Sequence, residues 1–201
     1  MNQFFQACAA SLLFSGFSAL AQDLSFEISP FYGYRFGGSL QSSTGESLSL
    51  KAGPSYGLAL DVGPRDSDMK FELLWSRQES GVDFNGLGNL REMDVTVDEF
   101  MFGCIYERGQ GKFHEYYTGL VGATVFGPDG GDSTAYFGIE VGGGVKYFVL
   151  KNLALHVDLR GFCNFVETQG AVFSSGGYTV AYFSGSLLWQ GEVSAGLTLS
   201  F

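Results

Sequence analysis

Residues 187–201, LLWQGEVSAGLTLSF, sort by parity. Leu187, Trp189, Gly191, Val193, Ala195, Leu197, Leu199 and Phe201 share one parity, while Gln190, Glu192, Ser194, Gly196, Thr198 and Ser200 follow Leu188 on the other. Successive side chains of a strand point to opposite faces, so this stretch reads as a β-strand with one apolar and one polar face. Residues 153–165 repeat the pattern. Leu153, Leu155, Val157, Leu159, Cys163 and Phe165 stand opposite Ala154, His156, Asp158, Arg160 and Asn164, with Phe162 out of step.

Six further segments carry the same period: 24–36, 56–62, 69–78, 93–107, 113–125 and 135–149. The segment 93–107 is irregular, since Val95 and Val97 share one parity and Phe100, Phe102 and Tyr106 the other; a β-bulge near Asp98 is expected there. The connections alternate between long (37–54, 80–92, 127–134, 168–186) and short (63–68, 108–112, 150–152). Eight strands joined this way predict an all-β fold, an antiparallel up-and-down meander closed into a barrel with both termini at the short-turn end.

Composition agrees. The 201 residues suffice for one domain, and 30 Gly and 20 Phe beside only 4 Pro favour strands and turns. A net charge of −10 repels phosphate backbones, which excludes nucleic acid as a partner. Although 45% of the residues are hydrophobic, no run after residue 21 approaches the roughly 20 apolar residues of a membrane helix. Residues 1–21 end in an uncharged stretch closing on Ala19, Leu20 and Ala21, the pattern of a cleaved export signal. The barrel domain is then 22–201. Cys8 leaves with the leader; Cys104 and Cys163 fall on the fourth and seventh strands, which are not neighbours, so both are read as small apolar fillers and not as a disulfide.

Side-chain size decides which face points inward, because an eight-stranded barrel has an interior only wide enough for side chains. The polar face is rich in Gly and Ala (Gly33, Gly57, Ala59, Gly138, Gly142, Gly144, Gly196), and the other face carries the bulky residues, so the small, polar face goes inside and the apolar face meets lipid. That assignment puts Glu27, Arg35, Asp61, Lys70, Glu72, Glu140, Lys146, His156, Asp158, Arg160 and Glu192 in the lumen. Buried charges persist only when paired, so a lumen closed by ion pairs is expected. Tyr32, Tyr34, Phe36, Trp75, Tyr147 and Trp189 suit interfacial girdles.

The final octet Ser194–Phe201 has a polar residue, Gly two places on, an apolar residue at Leu199 and a terminal aromatic. It resembles the assembly signal of bacterial outer-membrane barrels, and the whole domain resembles the small barrels related to the OmpA membrane domain, OmpX and OmpW. The resemblance implies a location in the bacterial outer membrane with termini in the periplasm. It also implies contact with outer-membrane lipid and lipopolysaccharide, and recognition of Gly196, Leu199 and Phe201 by the barrel-assembly machinery.

The residues offer little chemistry. A lipid-modifying barrel needs a general base at the outer-leaflet end. The only two histidines, His114 and His156, open the fifth and seventh strands at the turn end. The loop 127–132 lacks the spaced oxygens of an EF-hand, and Gly142–Gly144 has no Lys-Ser/Thr to make a phosphate loop. No catalytic residue, metal site or cofactor is expected. A monomeric barrel with a structural or surface-interaction role is the leading reading, and a narrow channel for small or hydrophobic solutes is the alternative.

Overall fold

A computed structural model describes residues 24–41, 47–85, 93–128, 132–166, 174–175, 178–179 and 186–201. The expected leader, 1–21, lies outside them. In chain order the strands are β1 (Leu24–Phe36), β2 (Ser39–Gln41), β3 (Ser47–Leu50), β4 (Gly53–Pro64), β5 (Met69–Asn85), β6 (Met93–Gln110), β7 (Phe113–Pro128), β8 (Thr134–Leu150), β9 (Leu153–Val166), β10 (Ser174–Ser175), β11 (Tyr178–Thr179) and β12 (Ser186–Ser200).

Eight of them make the barrel wall. β1 pairs with β4, and β4 through β9 then follow in sequence order to β12. β12 pairs back onto β1, from Glu27 opposite Ser200 to Phe36 opposite Gly191, and closes the ring. All pairings are antiparallel. Closure leaves the eight-stranded ring itself without a free edge, the condition for strands to stand in lipid.

The wall is apolar outside. Tyr32 is 65% exposed, Phe71 68%, Leu159 62% and Trp189 60%, whereas Arg35, Glu99, Glu140 and Glu192 are fully buried inside. A water-soluble protein has the reverse arrangement; this one suits a hydrocarbon surround.

Two features differ from the sequence pattern. No bulge forms near Asp98: the β5–β6 register runs unbroken from Met69 opposite Tyr106 to Val82 opposite Met93. Instead Val95 and Val97 keep the inward parity of Glu99, Met101, Ile105 and Glu107 and are buried in the lumen. A register shift falls elsewhere, between Phe148 and Leu150 at the β8–β9 turn. Second, β5 continues to Asn85, through much of the connection expected at 80–92, and 37–54 contains β2 and β3. β3 pairs with this extension of β5, from Ser47 opposite Asn85 to Leu50 opposite Val82. The chain reaches β2 by turning at Gly37 and Gly38, whose φ of 84° and 107° only glycine adopts without strain. Phe162, the apolar residue on the polar parity of β9, points into the lumen as that parity requires.

At 17 and 18 residues, β5 and β6 exceed the roughly 9–11 residues a tilted strand needs to cross a bilayer. The surplus extends the wall at the long-connection end. Cys104 and Cys163 are free thiols.

Candidate functional site

The lumen is filled in tiers. At the turn end, alternation brings Glu27 (β1), Asp61 (β4), Lys70 (β5), Glu107 (β6) and Lys146 (β8) inward together. Lys70 Nζ donates to Glu27 Oε1 at 2.6 Å and Glu107 Oε2 at 3.1 Å. Lys146 Nζ donates to Glu27 Oε2 at 2.6 Å and Glu107 Oε2 at 2.9 Å, lies 3.5 Å from Asp61 Oδ2, and sits over the Tyr116 ring. His114 Nδ1 meets Glu107 Oε1 at 2.8 Å.

The next tier centres on Arg160. Its Nη1 donates to Glu72 Oε1 at 2.8 Å and Glu140 Oε1 at 3.3 Å, and Thr118 Oγ1 donates to Glu140 at 2.9 Å. Asp158 accepts from Ser194 at 3.4 Å and lies 3.6 Å from His156 Nε2. His156 Nδ1 contacts Thr198 Oγ1 at 3.0 Å, and Thr198 in turn bonds Ser29 at 2.9 Å. At 3% exposure, His156 sits within the packed interior.

Above this runs an apolar layer of Phe31, Ala59, Leu74, Met101, Leu120 and Phe162, all buried. Arg35 caps it, with its guanidinium 4.1 Å from the Phe162 ring centroid. Arg35 reaches Glu192 at 2.9 Å, Ser76 Oγ at 2.6 Å and Glu99 at 3.5 Å. Glu99 is also held by Thr124 and by Asn164 Nδ2 at 3.3 Å. Higher still, Gln190 donates to Gln78 at 2.9 Å.

All eleven charged or imidazole residues assigned to the lumen by parity thus face inward, in three groups and not one cluster. Glu99, Glu107, Thr118 and Thr124 join them without having been singled out, as do Asn164, which the parity of its strand had placed on the polar face, and His114, weighed before only as a general base. For Glu99 and Glu107 the available signal was strict parity along β6, which the apolar Val95 and Val97 disguised.

A void among the lower tiers, lined by residues such as Asp61, Glu72, Asp158 and Arg160, is about 10 Å³, the room of a single water. A much larger open vestibule, about 750 Å³, lies at the opposite end from the chain termini of the barrel, bounded by Lys51, Gly53, Glu79, Asp94, Thr96 and Ser133 among others.

On the outer wall, Arg77 forks onto Asp98 through two 2.8 Å bonds, Trp75 Nε1 donates to Asp98 at 3.3 Å, and Tyr56 packs edge-on to Trp75. This is amphipathic chemistry suited to an interface between apolar and polar surroundings.

In the final strand, Gly196 occupies a point where a Cβ would lie 2.1 Å from the Pro30 carbonyl oxygen and 2.7 Å from the His156 ring. Leu199 faces outward, and Phe201, 60% exposed, donates its backbone N–H to Phe26 O at 2.9 Å.

No protein-family model and no curated protein sequence matches the chain. Among solved structures it is similar to Neisserial surface protein A, with a TM-score of 0.57 at 18% identity, over 88% of this chain and 97% of that one. It is also similar to the outer membrane protein OprG from Pseudomonas aeruginosa, with a TM-score of 0.54 at 12% identity, over 88% and 95% of the two chains. At these identities the likeness is one of fold, and it matches the strand count, closure and inside-out polarity described above. The chain has the closed eight-stranded antiparallel barrel fold of small outer-membrane proteins.

Proposed function

We propose that the protein is an outer-membrane barrel with a plugged lumen, serving a structural or surface-interaction role from the vestibule end. The observation that carries this reading is the densely packed interior. Arg35 and Glu192 are fully buried against the apolar layer, and the void beneath has room for about one water. A conducting pore needs a continuous wetted path, and a lumen filled with mutually bonded side chains argues against one.

In this reading the termini lie in the periplasm and the chain is a monomer surrounded by outer-membrane lipid and lipopolysaccharide. The barrel-assembly machinery inserts it through Gly196, Leu199 and Phe201. The polar vestibule then opens outward, and binding specificity resides in it and in the long connections, where loops held by a rigid scaffold carry function.

Two measurements test this. Membrane-extracted protein is expected to migrate differently on gels before and after boiling; unchanged mobility, or recovery in the soluble periplasmic fraction, overturns the membrane location. Reconstituted in planar bilayers, the barrel is expected to give no reproducible single-channel steps. Steady conductance that changes on neutralising Arg160 or Glu140 overturns the plug.

A further inference from the structure

Asp61 and Glu72 stand directly opposite each other on β4 and β5, and both point into the lumen. Cross-strand partners place their Cβ atoms about 4.5–5.5 Å apart, and like charges so placed repel. Both side chains are more than nine-tenths buried, at 4% and 1% exposure. Each keeps one oxygen without a hydrogen-bond partner, Asp61 Oδ1 and Glu72 Oε2, and both residues line the same void of about 10 Å³.

The neighbouring cations do not balance them. Glu72 shares Arg160 with Glu140 at 3.3 Å and Asp158 at 3.9 Å. Asp61 has Lys146 at 3.5 Å, an ammonium that lies closer to Glu27 and Glu107, and the second cation of that tier, Lys70, is bonded to the same two glutamates. His156 is the remaining basic side chain lining the void, and it contacts Asp158 and Thr198. Arg160 Nε and Asp158 Oδ1 also lack hydrogen-bond partners at this void, but the Arg160 charge is already divided among Glu72, Glu140 and Asp158. Incompletely paired buried ions cost several kcal/mol each, so a further positive charge between the two facing carboxylates offsets their repulsion. The space admits nothing larger than a water, which restricts that charge to a very small species.

We infer that Asp61 and Glu72 together form a proton-binding site, holding one proton in the space between Asp61 Oδ1 and Glu72 Oε2. The proton comes from solvent as the chain folds and forms an O–H bond on one carboxyl. The bond removes the like-charge contact and fastens β4 to β5 across the void. The inference builds on the closed-lumen reading, and the two fail separately: bilayer conductance reports closure, whereas the measurements below report the proton.

Infrared spectra of the folded full-length barrel at neutral pH, in water and in deuterium oxide, test it. The wild-type protein is expected to show the carbonyl stretch of a protonated carboxyl, and Asp61→Asn and Glu72→Gln are each expected to lose one carboxyl equivalent of that band. Absence of the band in wild type, or its persistence undiminished in both variants, overturns the inference. Because either variant can fail to fold, wild-type protein alone supplies a second reading: unfolding at neutral pH is expected to release a proton, detected with an indicator dye. No release overturns the site. Repeating the spectra with sodium replaced by choline distinguishes a metal cation, since a missing band together with sodium-dependent thermal stability assigns the void to sodium and refutes the proton.

Discussion

Arg35 and Glu192 are directly opposed across the β1–β12 seam, 2.9 Å apart and both fully buried, so one ion pair bridges the strands that close the barrel and lies in its lumen. Removing one partner of a buried pair strands the other. Arg35→Met is therefore expected to cost about 3–5 kcal/mol in urea unfolding from detergent or lipid, because it leaves Glu192 and Glu99 without a cation. Combined with Glu192→Gln, the cost is expected to fall below the sum of the single changes. Strict additivity would show that the contact carries no energy.

Glycine makes close packing possible at particular sites and is incidental at others. At Gly196 an added Cβ meets the Pro30 carbonyl at 2.1 Å, a backbone atom that cannot step aside, and the His156 ring at 2.7 Å. At Gly119 it meets nothing within 4 Å. Gly196→Ala is expected to destabilise by about 1–3 kcal/mol, as overpacking does, and Gly119→Ala to stay within about 0.5 kcal/mol of wild type. Equal effects at the two sites, measured by the same unfolding assay, would refute the clash.

The wall was readable wherever lipid-facing residues are bulky and lumen residues small or charged, as along β9 and β12. It blurred where the lumen itself turns apolar. Val95, Val97 and Phe162 are inward and buried, Phe162 beneath the Arg35 guanidinium, so hydrophobicity there stops marking the outer face and mimics a bulge. Glu99 and Glu107 were hidden by the same confusion. Strand ends blurred for another reason: at Glu79, Ser80 and Gly81 neither face of β5 carries the apolar alternation that marks a strand in lipid, although the backbone pairing with β6 continues. Which charge meets which depends on side chains from non-adjacent strands, such as Lys146 of β8 and Glu27 of β1, and no periodicity encodes that.

Polarity of the outer wall separates a membrane barrel from a soluble one by a single substitution. Leu159 is 62% exposed, midway along β9. In water, Leu159→Arg replaces an exposed apolar side chain with a charge at almost no cost. In a bilayer midplane the same change costs about 2–4 kcal/mol. Unfolding from phospholipid bilayers is expected to register the larger figure. An unaltered stability would place Leu159 outside the hydrocarbon.

The terminal aromatic offers a test that separates assembly from stability. Phe201 is 60% exposed and is tied to Phe26 through backbone bonds in both directions, at 2.9 and 3.5 Å, so the ring contributes little to the folded barrel. Phe201→Ala is therefore expected to refold in detergent within about 0.5 kcal/mol of wild type, as surface changes do. If the assembly machinery reads this ring, the same variant accumulates poorly in the outer membrane of cells while its purified form folds normally. Equal membrane levels of variant and wild type would remove Phe201 from the assembly signal, and a matching loss in detergent would assign the ring to stability instead.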